Sequence, residues 1–283
     1  MTDSVRIASG NSVCTLLPKT GGSIGSWRVD GQAMLRTALD GTDPLQSASF
    51  PLVPYSNRIA NARFDWHGTP VVLRPHPIAA PHAIHGVGWL KAWDVTKINS
   101  DSATLTLNHN PDADWPWPFE AEQHIAVGEN WLWISMTIRN LSDVPVPAAF
   151  GHHCYFDCQG ASIKFMADRF FPSGPDMLPL EAEAVAGPTD FSGGCAVTEH
   201  PFDNGFGGWD GKAELSWAER GHRLLIESDM TNVVLFTPSG EDFFCFEPVP
   251  HRNNALCRAD GDMPLVAPGG LYQSHIRFTA VAA

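Results

Sequence analysis

Positive charge is scarce in this sequence of 283 residues. It contains 18 lysine and arginine residues against 31 aspartate and glutamate residues, which gives a formal net charge of -13 at pH 7. Binding to nucleic acid or to an anionic membrane surface needs a basic footprint, so this balance argues against both kinds of partner. A neutral molecule, or a partner recognised at one local site, fits the charge better.

Cysteine is also scarce. The six cysteines include no C-x-x-C pair, so neither a disulfide framework nor a zinc ribbon is indicated. We expect reduced and mostly buried thiols. Cys154 lies beside two histidines, and a Cys-His nucleophile has to be considered there. On a strand, however, its side chain would point away from that of its neighbour His153, which disfavours this interpretation.

Long apolar runs and a helical period are missing. No run of about eighteen apolar residues is present to span a bilayer. The N-terminal segment 1–6 lacks the basic start and apolar core of a signal peptide, so the expected location is cytoplasmic. The best candidate for a helix, residues 180–186, is only one or two turns long.

Short segments that are alternating or β-branched dominate the sequence, and glycine, proline, asparagine and aspartate separate them. Hairpins are predicted at 64–73, with a turn at His67 and Gly68, and at 119–140, with a turn at 128–130. Numerous strands without crossover helices predict an all-β fold, a single antiparallel β-sandwich domain over residues 1–283. Further strands are predicted at 13–17, 24–29, 71–73, 213–217, 224–227, 233–237, 243–246 and 272–280.

Two adjacent histidines, His152 and His153, stand between apolar residues. A strand that exposes one of these rings to a cavity would present a proton donor near neutral pH. Adjacent residues on a strand point to opposite faces, so at most one of the two rings should face a given site. The alternative is that either ring is a core histidine whose hydrogen bonds are satisfied.

Glu247 ends an almost wholly apolar segment that begins at Phe243. An acid in such a position is costly unless it has a partner or a function. Burial would raise its pKa toward a value that suits a general base. This carboxylate is the single residue least easily explained as part of the surface.

Two further clusters offer groups that suit sugar hydroxyls. The guanidinium of Arg58 and the carboxamide of Asn57 together present several donors and an acceptor, although a solvated surface turn is an equal alternative. Asp203 lies in a loop rich in glycine and aromatic residues, where a carboxylate can accept two hydroxyls. Its alternative is an Asx turn that caps its own backbone.

A fourth cluster combines His85 with Trp89. An indole face stacks on the apolar face of a pyranose while an imidazole bonds its hydroxyls. His82 and His85 could instead bind a metal at H-x-x-H spacing. On a loop or strand that spacing does not fix a shared face, and no third ligand is nearby, so no metal is expected.

The order of these clusters resembles the aldose 1-epimerase (galactose mutarotase) family. The matching elements run through nearly the whole chain in the family's order, which is more specific than any one motif. They are Ser56-Asn57-Arg58-Ile59, His85-Gly86 followed by Trp89, His153-Cys154-Tyr155-Phe156, Phe202-Asp203-Asn204-Gly205-Phe206 and Glu247-Pro248.

The resemblance implies a large β-sandwich of the galactose mutarotase-like type that interconverts the α and β anomers of an aldose without a metal or organic cofactor. By position, His153 would protonate the ring oxygen and Glu247 would take the proton from the anomeric hydroxyl. The remaining positions would hold the sugar or form the walls of its cleft: Asn57, Arg58, His85, Asp203, Trp89 and Tyr155.

Departures from the family pattern leave the sugar open. Val53-Pro54-Tyr55 stands where many members have a Gly-Arg step, and Gly86-Val87-Gly88 is shorter than the glycine-rich turn of typical galactose-preferring members. A phosphorylated or sulfonated hexose would need a further cationic contact. A noncatalytic carbohydrate-binding protein on the same fold is the other alternative. In each case we expect a monomer or a homodimer whose partner is a small-molecule sugar. The cations available for an anionic sugar are Arg74, Lys91, Arg169 and Arg252.

Overall fold

The computed structural model describes residues 4–39 and 41–282, and over these residues antiparallel β-strands predominate. Met1, Thr2 and Asp3, which belong to the segment considered for a targeting signal, lie outside the described residues. In the described part the helices are 3-10 turns of three residues, too short to cross a membrane. They are Pro44–Gln46, Ala60–Ala62, Pro77–Ala79, Gly88–Leu90, Gly187–Thr189 and Ala255–Cys257.

The strands form two large sheets and three short pairs. Numbered along the chain, the larger sheet contains β1 Val5–Ser9, β2 Ser12–Leu17, β3 Ser23–Val29, β4 Gln32–Ala33, β5 Ser49–Leu52, β15 Gly151–Asp157, β17 Arg169–Phe171, β18 Glu183–Ala184, β20 Asp203–Gly207, β23 Asn232–Phe236 and β24 Phe243–Val249. The second sheet contains β10 Asp94–Ile98, β11 Ser102–His109, β12 Phe119–Val127, β13 Trp131–Asn140, β16 Ala161–Phe165, β19 Cys195–Ala196, β21 Lys212–Trp217, β22 His222–Ser228 and β26 Leu271–Ala282. The short pairs are β6 Arg58–Ile59 with β9 Ala83–Ile84, β7 Arg63–Trp66 with β8 Thr69–Val72, and β14 Val146–Pro147 with β25 Leu265–Val266.

The predicted all-β fold is confirmed, and the strands that were predicted lie close to observed strands. In the first hairpin Trp66 pairs with Thr69 around the predicted turn. In the second, the paired residues run from Phe119 opposite Asn140 to Val127 opposite Leu132. Alternating burial along both arms of this hairpin explains why its period was visible in the sequence.

The best candidate for a helix, residues 180–186, is not helical. The segment contributes the short strand β18, which pairs with β17. An isolated helix of one or two turns is costly to nucleate, and it forms in a protein only when an apolar face packs against the core. Six of the seven side chains here are exposed, so that compensation is missing.

The larger sheet is apolar on both faces. Alternate residues of its strands enter the core that it shares with the second sheet; Cys154 and Phe156 of β15 pack there with side chains such as Ile134 and Phe278. The residues between them point to the opposite face, where a smaller apolar cluster includes Tyr155. A strand buried on both faces reads as a nearly continuous apolar run, as β24 does.

The smaller cluster marks the outer face at the centre of the larger sheet. Five neighbouring strands, in the order β5, β15, β24, β23 and β20, meet there although they are far apart in sequence. The short pair β6 and β9, together with the 3-10 turn Gly88–Leu90, brings in side chains from the first third of the chain. This face holds the residues with unusual chemistry.

Candidate functional site

An imidazole and a carboxyl group lie in contact at the centre of the outer face. His153 Nε2 is 3.3 Å from Glu247 Oε1. β15 and β24 are antiparallel, with Tyr155 opposite Cys245. His153 lies two residues before Tyr155 and Glu247 two residues after Cys245, so their side chains face each other. His153 is 8% exposed and Glu247 3% exposed, so the pair is nearly withdrawn from water.

Burial changes the protonation of this pair. It raises the pKa of Glu247 well above its usual range, and the neighbouring Asp203 carboxyl adds to the shift. Burial also lowers the pKa of His153 to about 3, with a contribution from the positive charge of Arg36. Burial thus favours the neutral form of the pair, with an unprotonated imidazole beside a protonated carboxyl group. Moving that proton to His153 leaves the total charge of the pair unchanged, so it costs less than ionising either group alone.

Aromatic rings fix the orientation of the imidazole. Phe50 of β5 and Tyr155 of β15 both stack against it, each with a ring centroid 4.6 Å from that of His153. The guanidinium of Arg36 lies over the far face of Tyr155, 3.7 Å from the ring centroid. His153 can therefore change its protonation with little change in its position.

A cavity of about 170 Å³ opens above the pair. Arg58 Nη2 lies 3.6 Å from Asp203 Oδ2, and both residues line the cavity with the pair. Burial raises the pKa of Asp203, while Arg58 opposes the shift. The cavity is lined by Leu45, Asn57, Arg58, Ile78, Ile84, His85, His153, Tyr155, Asp203, Val234, Phe236 and Glu247.

The hydrogen bonds of His85 determine its tautomer. The backbone N–H of Asn57 donates to His85 Nδ1 over 3.1 Å, so the proton of the neutral ring is on Nε2. Burial lowers the pKa of His85 well below its usual value, and the positive charges that His153 and Arg58 can carry act in the same direction. His85 is therefore a neutral donor at the cavity wall, suited to a hydroxyl oxygen.

Seven of the eight predicted site residues line this one cavity, and the exception is Trp89. Its ring is 3% exposed and lies behind Phe50, with a centroid separation of 5.4 Å. The expectation that Trp89 forms a wall of the cleft is thus corrected: it supports Phe50, which in turn supports His153. An indole packed in this way cannot present its face to a ligand.

His152 and Cys154 point to the other face of β15. His152 Nε2 donates to Gln123 Oε1 over 3.0 Å, and the hydroxyl of Ser49 donates to His152 Nδ1 over 2.7 Å. Both ring nitrogens are satisfied, and burial lowers the pKa of His152 to about 3. Burial raises the pKa of the Cys154 thiol to about 12, so a Cys-His nucleophile is not supported.

Two sets of residues carry atoms of the kind that bind metal ions. His82 uses both ring nitrogens in hydrogen bonds, one with the backbone N–H of Asn61 and one with the carbonyl of Asp176, which leaves none for an ion. Donor atoms of His153, Cys245 and Glu247 lie within 4.8 Å of one another. The thiol would have to lose its proton on binding a metal, although burial raises the pKa of Cys245 well above its usual range.

Several residues at the site were not predicted from the sequence. Phe50 and Arg36 support His153 from positions about a hundred residues away. The run His251-Arg252-Asn253-Asn254 directly follows the segment that carries Glu247, and its members bond the backbone around Asn57. The available signal was a polar run that remains buried after an apolar strand, because three of these four side chains are buried.

A family model and a curated relative match this chain. A family model described as aldose 1-epimerase matches residues 3–279. The uncharacterised protein YphB of Escherichia coli K12 is 28% identical over 257 residues, which cover 87% of each chain.

Solved structures show the same fold. A protein of Escherichia coli K12 provisionally named as an aldose 1-epimerase has a TM-score of 0.92 at 24% identity, with 99% of each chain covered. A GalM/aldose epimerase homologue of Caenorhabditis elegans has a TM-score of 0.87 at 19% identity, with 100% of each chain covered.

Proposed function

Because the chain belongs to the aldose 1-epimerase family, we propose that it is a mutarotase that interconverts the α and β anomers of a neutral aldose. The observation that carries the proposal is the contact between His153 and Glu247 over 3.3 Å at one cavity that is also lined by Arg58, His85 and Asp203. Such a cavity supplies a proton donor, a proton acceptor and hydroxyl-binding groups together.

Ring opening requires a proton on the ring oxygen and the removal of another from the anomeric hydroxyl. In the proposed mechanism His153 delivers the first proton and Glu247 accepts the second, and closure onto the other face of the aldehyde reverses both transfers. The active form carries the shared proton on the imidazole. Each positioned transfer contributes about 10²–10⁴-fold to the rate. The atoms balance without a covalent intermediate, because every proton given by one group is returned to the pair.

The charges around the cavity favour an uncharged sugar. Arg58, the cation at the cavity, is already close to Asp203. Four cations were possible partners for a phosphate or sulfonate, and none of them lines the cavity. Arg74 pairs with Asp114, Lys91 with Asp112 and Arg252 with Asp260, while Arg169 is exposed on β17.

The sugar-binding roles follow from the same geometry. Asp203 can accept two hydroxyls, His85 can donate from Nε2, and Arg58 with Asn57 can bond a further hydroxyl pair. Val234 and Phe236 supply apolar surface for the C–H face of the ring.

A panel of anomers tests the proposal. Purified protein should accelerate the equilibration of freshly dissolved α-D-glucose or α-D-galactose, followed by polarimetry or by exchange of the anomeric proton signals in NMR. The corresponding 6-phosphates should be converted much more slowly. Binding of a neutral sugar without any acceleration would support a noncatalytic carbohydrate-binding protein, and faster conversion of the phosphates would contradict the proposed substrate class.

A further inference from the structure

Side chains accept nearly all the backbone N–H groups of the segment 56–61, which carries Asn57 and Arg58. A segment of this kind would ordinarily use strand or helix partners for its amides. Here the N–H groups donate to side chains as follows: Ser56 to His251 Nε2 over 3.1 Å, Asn57 to His85 Nδ1 over 3.1 Å, Arg58 to Asn253 Oδ1 over 3.1 Å, Ala60 to Asn254 Oδ1 over 3.0 Å and Asn61 to His82 Nδ1 over 2.9 Å.

The path of the chain explains why side chains are needed. Asn57 and Asn61 have positive φ values of 56° and 50°, so the backbone departs from the extended form on both sides of the two-residue strand β6. A buried N–H group without an acceptor destabilises the conformation that buries it. The side-chain acceptors therefore determine whether this turn is stable in the conformation seen.

Three of the acceptors come from one short segment that follows β24. His251, Asn253 and Asn254 begin four residues after Glu247, and the backbone N–H of Asn254 donates in return to the carbonyl of Arg58 over 3.0 Å. The N–H of His251 Nδ1 donates to the carbonyl of Arg252 over 2.9 Å, which leaves Nε2 unprotonated to accept from Ser56. The strand that carries the proposed base is thus tied to the turn that carries the proposed sugar ligands.

We propose that His251 and Asn254 are positioning residues for sugar binding: they hold the segment 56–61 so that Arg58 and Asn57 present their polar groups to the cavity opposite His153. This inference rests on the proposed function for its substrate. Neither side chain lines the cavity. Loss of an acceptor should therefore weaken sugar binding and leave the proton-transfer pair in place.

Matched variants separate positioning from a general effect on folding. His251→Phe removes the acceptor and keeps a ring of similar size, whereas His251→Gln retains an acceptor oxygen. Asn254 has a φ of 59°, so Asn254→Gly removes its acceptor without backbone strain and Asn254→Asp retains it. His200→Phe, at an exposed histidine, is the control for the exchange of residue type.

We expect His251→Phe and Asn254→Gly each to raise KM for the neutral sugar roughly tenfold, with kcat changed by less than about threefold. His251→Gln, Asn254→Asp and His200→Phe should lie near the wild type. Amide hydrogen exchange measured by mass spectrometry should accelerate in peptides that cover 56–61 and stay unchanged in those from β15.

The exchange measurement does not depend on activity, so it separates this inference from the proposed function. Unchanged exchange in 56–61 in both acceptor-deleted variants would overturn the positioning role even if the protein is a mutarotase. An equal loss of kcat in all variants, with rapid exchange across β15, would overturn it as well. Accelerated exchange in 56–61 in a protein without mutarotase activity would support the positioning role of His251 and Asn254 and would contradict the proposed function. If His251→Phe does not fold, the Asn254 pair carries the same test.

Discussion

Among the residues of the site, His153 and Glu247 differ from an ordinary salt bridge. A surface pair would be charged on both sides, whereas burial disfavours the charge of each group here. The stacking of Phe50 and Tyr155 holds the imidazole while its proton moves. A pair that shares one proton and keeps its geometry is suited to passing protons to and from a bound ligand.

Removal of either member should abolish most of the activity. We expect Glu247→Gln and His153→Ala each to lower kcat by about 10²–10⁴-fold, because each removes one proton transfer. Asp203→Ala should chiefly raise KM. Polarimetric rates measured over a range of sugar concentrations will distinguish these effects.

The control is Glu227→Gln, the same exchange at an exposed position of β22. It should have wild-type kinetics. Near-wild-type turnover in Glu247→Gln would contradict the role of Glu247 as the base, provided that its circular dichroism spectrum is that of the folded protein.

The shared proton also predicts the dependence of the rate on pH. A second proton enters the pair only in strong acid, because the pKa of His153 is lowered to about 3. The value of kcat/KM should therefore stay level as the pH falls through 6.5, and it should decline in alkali once the pair loses its proton above the raised pKa of Glu247.

NMR exchange rates from pH 4.5 to 9, corrected for catalysis by the buffer, will measure this profile on protein shown to be folded at each pH. An acid limb centred near 6.5 would indicate an imidazole with an ordinary pKa and would contradict the shared-proton description.

Among the elements, the turn that carries His85 depends on a close approach of two backbones. Gly86 has a φ of 66°, and a Cβ placed on it would lie 2.2 Å from the carbonyl oxygen of Val53. The same carbonyl accepts hydrogen bonds from the backbone N–H groups of Val87 and Gly88. The absence of a side chain at Gly86 is therefore required by both the conformation and the packing.

Replacement of this glycine should destabilise the protein. We expect Gly86→Ala to lower the free energy of unfolding by roughly 3 kcal/mol or more, since a left-handed conformation costs about 1–2 kcal/mol and the clash adds to it. Gly68→Ala is a matched control, because Gly68 has a φ of 81° with no heavy atom within 4 Å of the added Cβ. Its loss should be about 1 kcal/mol. Urea unfolding at pH 7 measures both; equal losses would show that backbone conformation alone matters.

At the scale of the whole molecule, buried histidines couple folding to pH. Burial lowers the pKa of six histidines, to about 3 for two of them, and a lowered pKa means that unfolding takes up a proton. Their contribution to stability is complete above about pH 6.5 and is lost as the pH falls toward 3. They are His76, His85, His109, His152, His153 and His251.

Two carboxyl groups act in the opposite sense. Burial raises the pKa of Glu247 and of Asp203, so their contribution is largest in acid and declines as the pH rises through the raised values. With six histidines against two carboxyls, we expect the urea midpoint to fall as the pH is lowered from 7 to 4.5. The variant His152→Gln removes one titrating ring far from the cavity, so its unfolding should take up about one proton fewer. Its urea midpoint should therefore fall less than that of the wild type. A midpoint that rises toward acid would contradict this prediction.

We also propose that the chain is a single domain, since one core cluster contains side chains of both large sheets. A single cooperative unfolding transition, coincident by fluorescence and circular dichroism, is expected.

Local sequence patterns predicted the class of fold and many of the strands, and the motifs indicated the proposed proton-transfer pair. Alternation along β12 and β13 is a local property that any pleated strand imposes, and it could be read without knowing the partners. An acid at the end of an apolar strand and the ordered run of family-like motifs pointed to Glu247 and His153. The family resemblance supplied the roles that composition could not.

Which histidine faces the cavity, where Trp89 lies and what holds Arg58 in place became visible in the tertiary structure alone. The first of these depends on the register between strands about a hundred residues apart, as in the pairing of His153 with Phe50. The other two depend on packing of turns and loops against that sheet. A shift of one residue would reverse the faces of β15 and exchange His152 with His153. Local patterns constrain a strand's period, whereas the phase of that period relative to its neighbours is set by packing across the whole sheet.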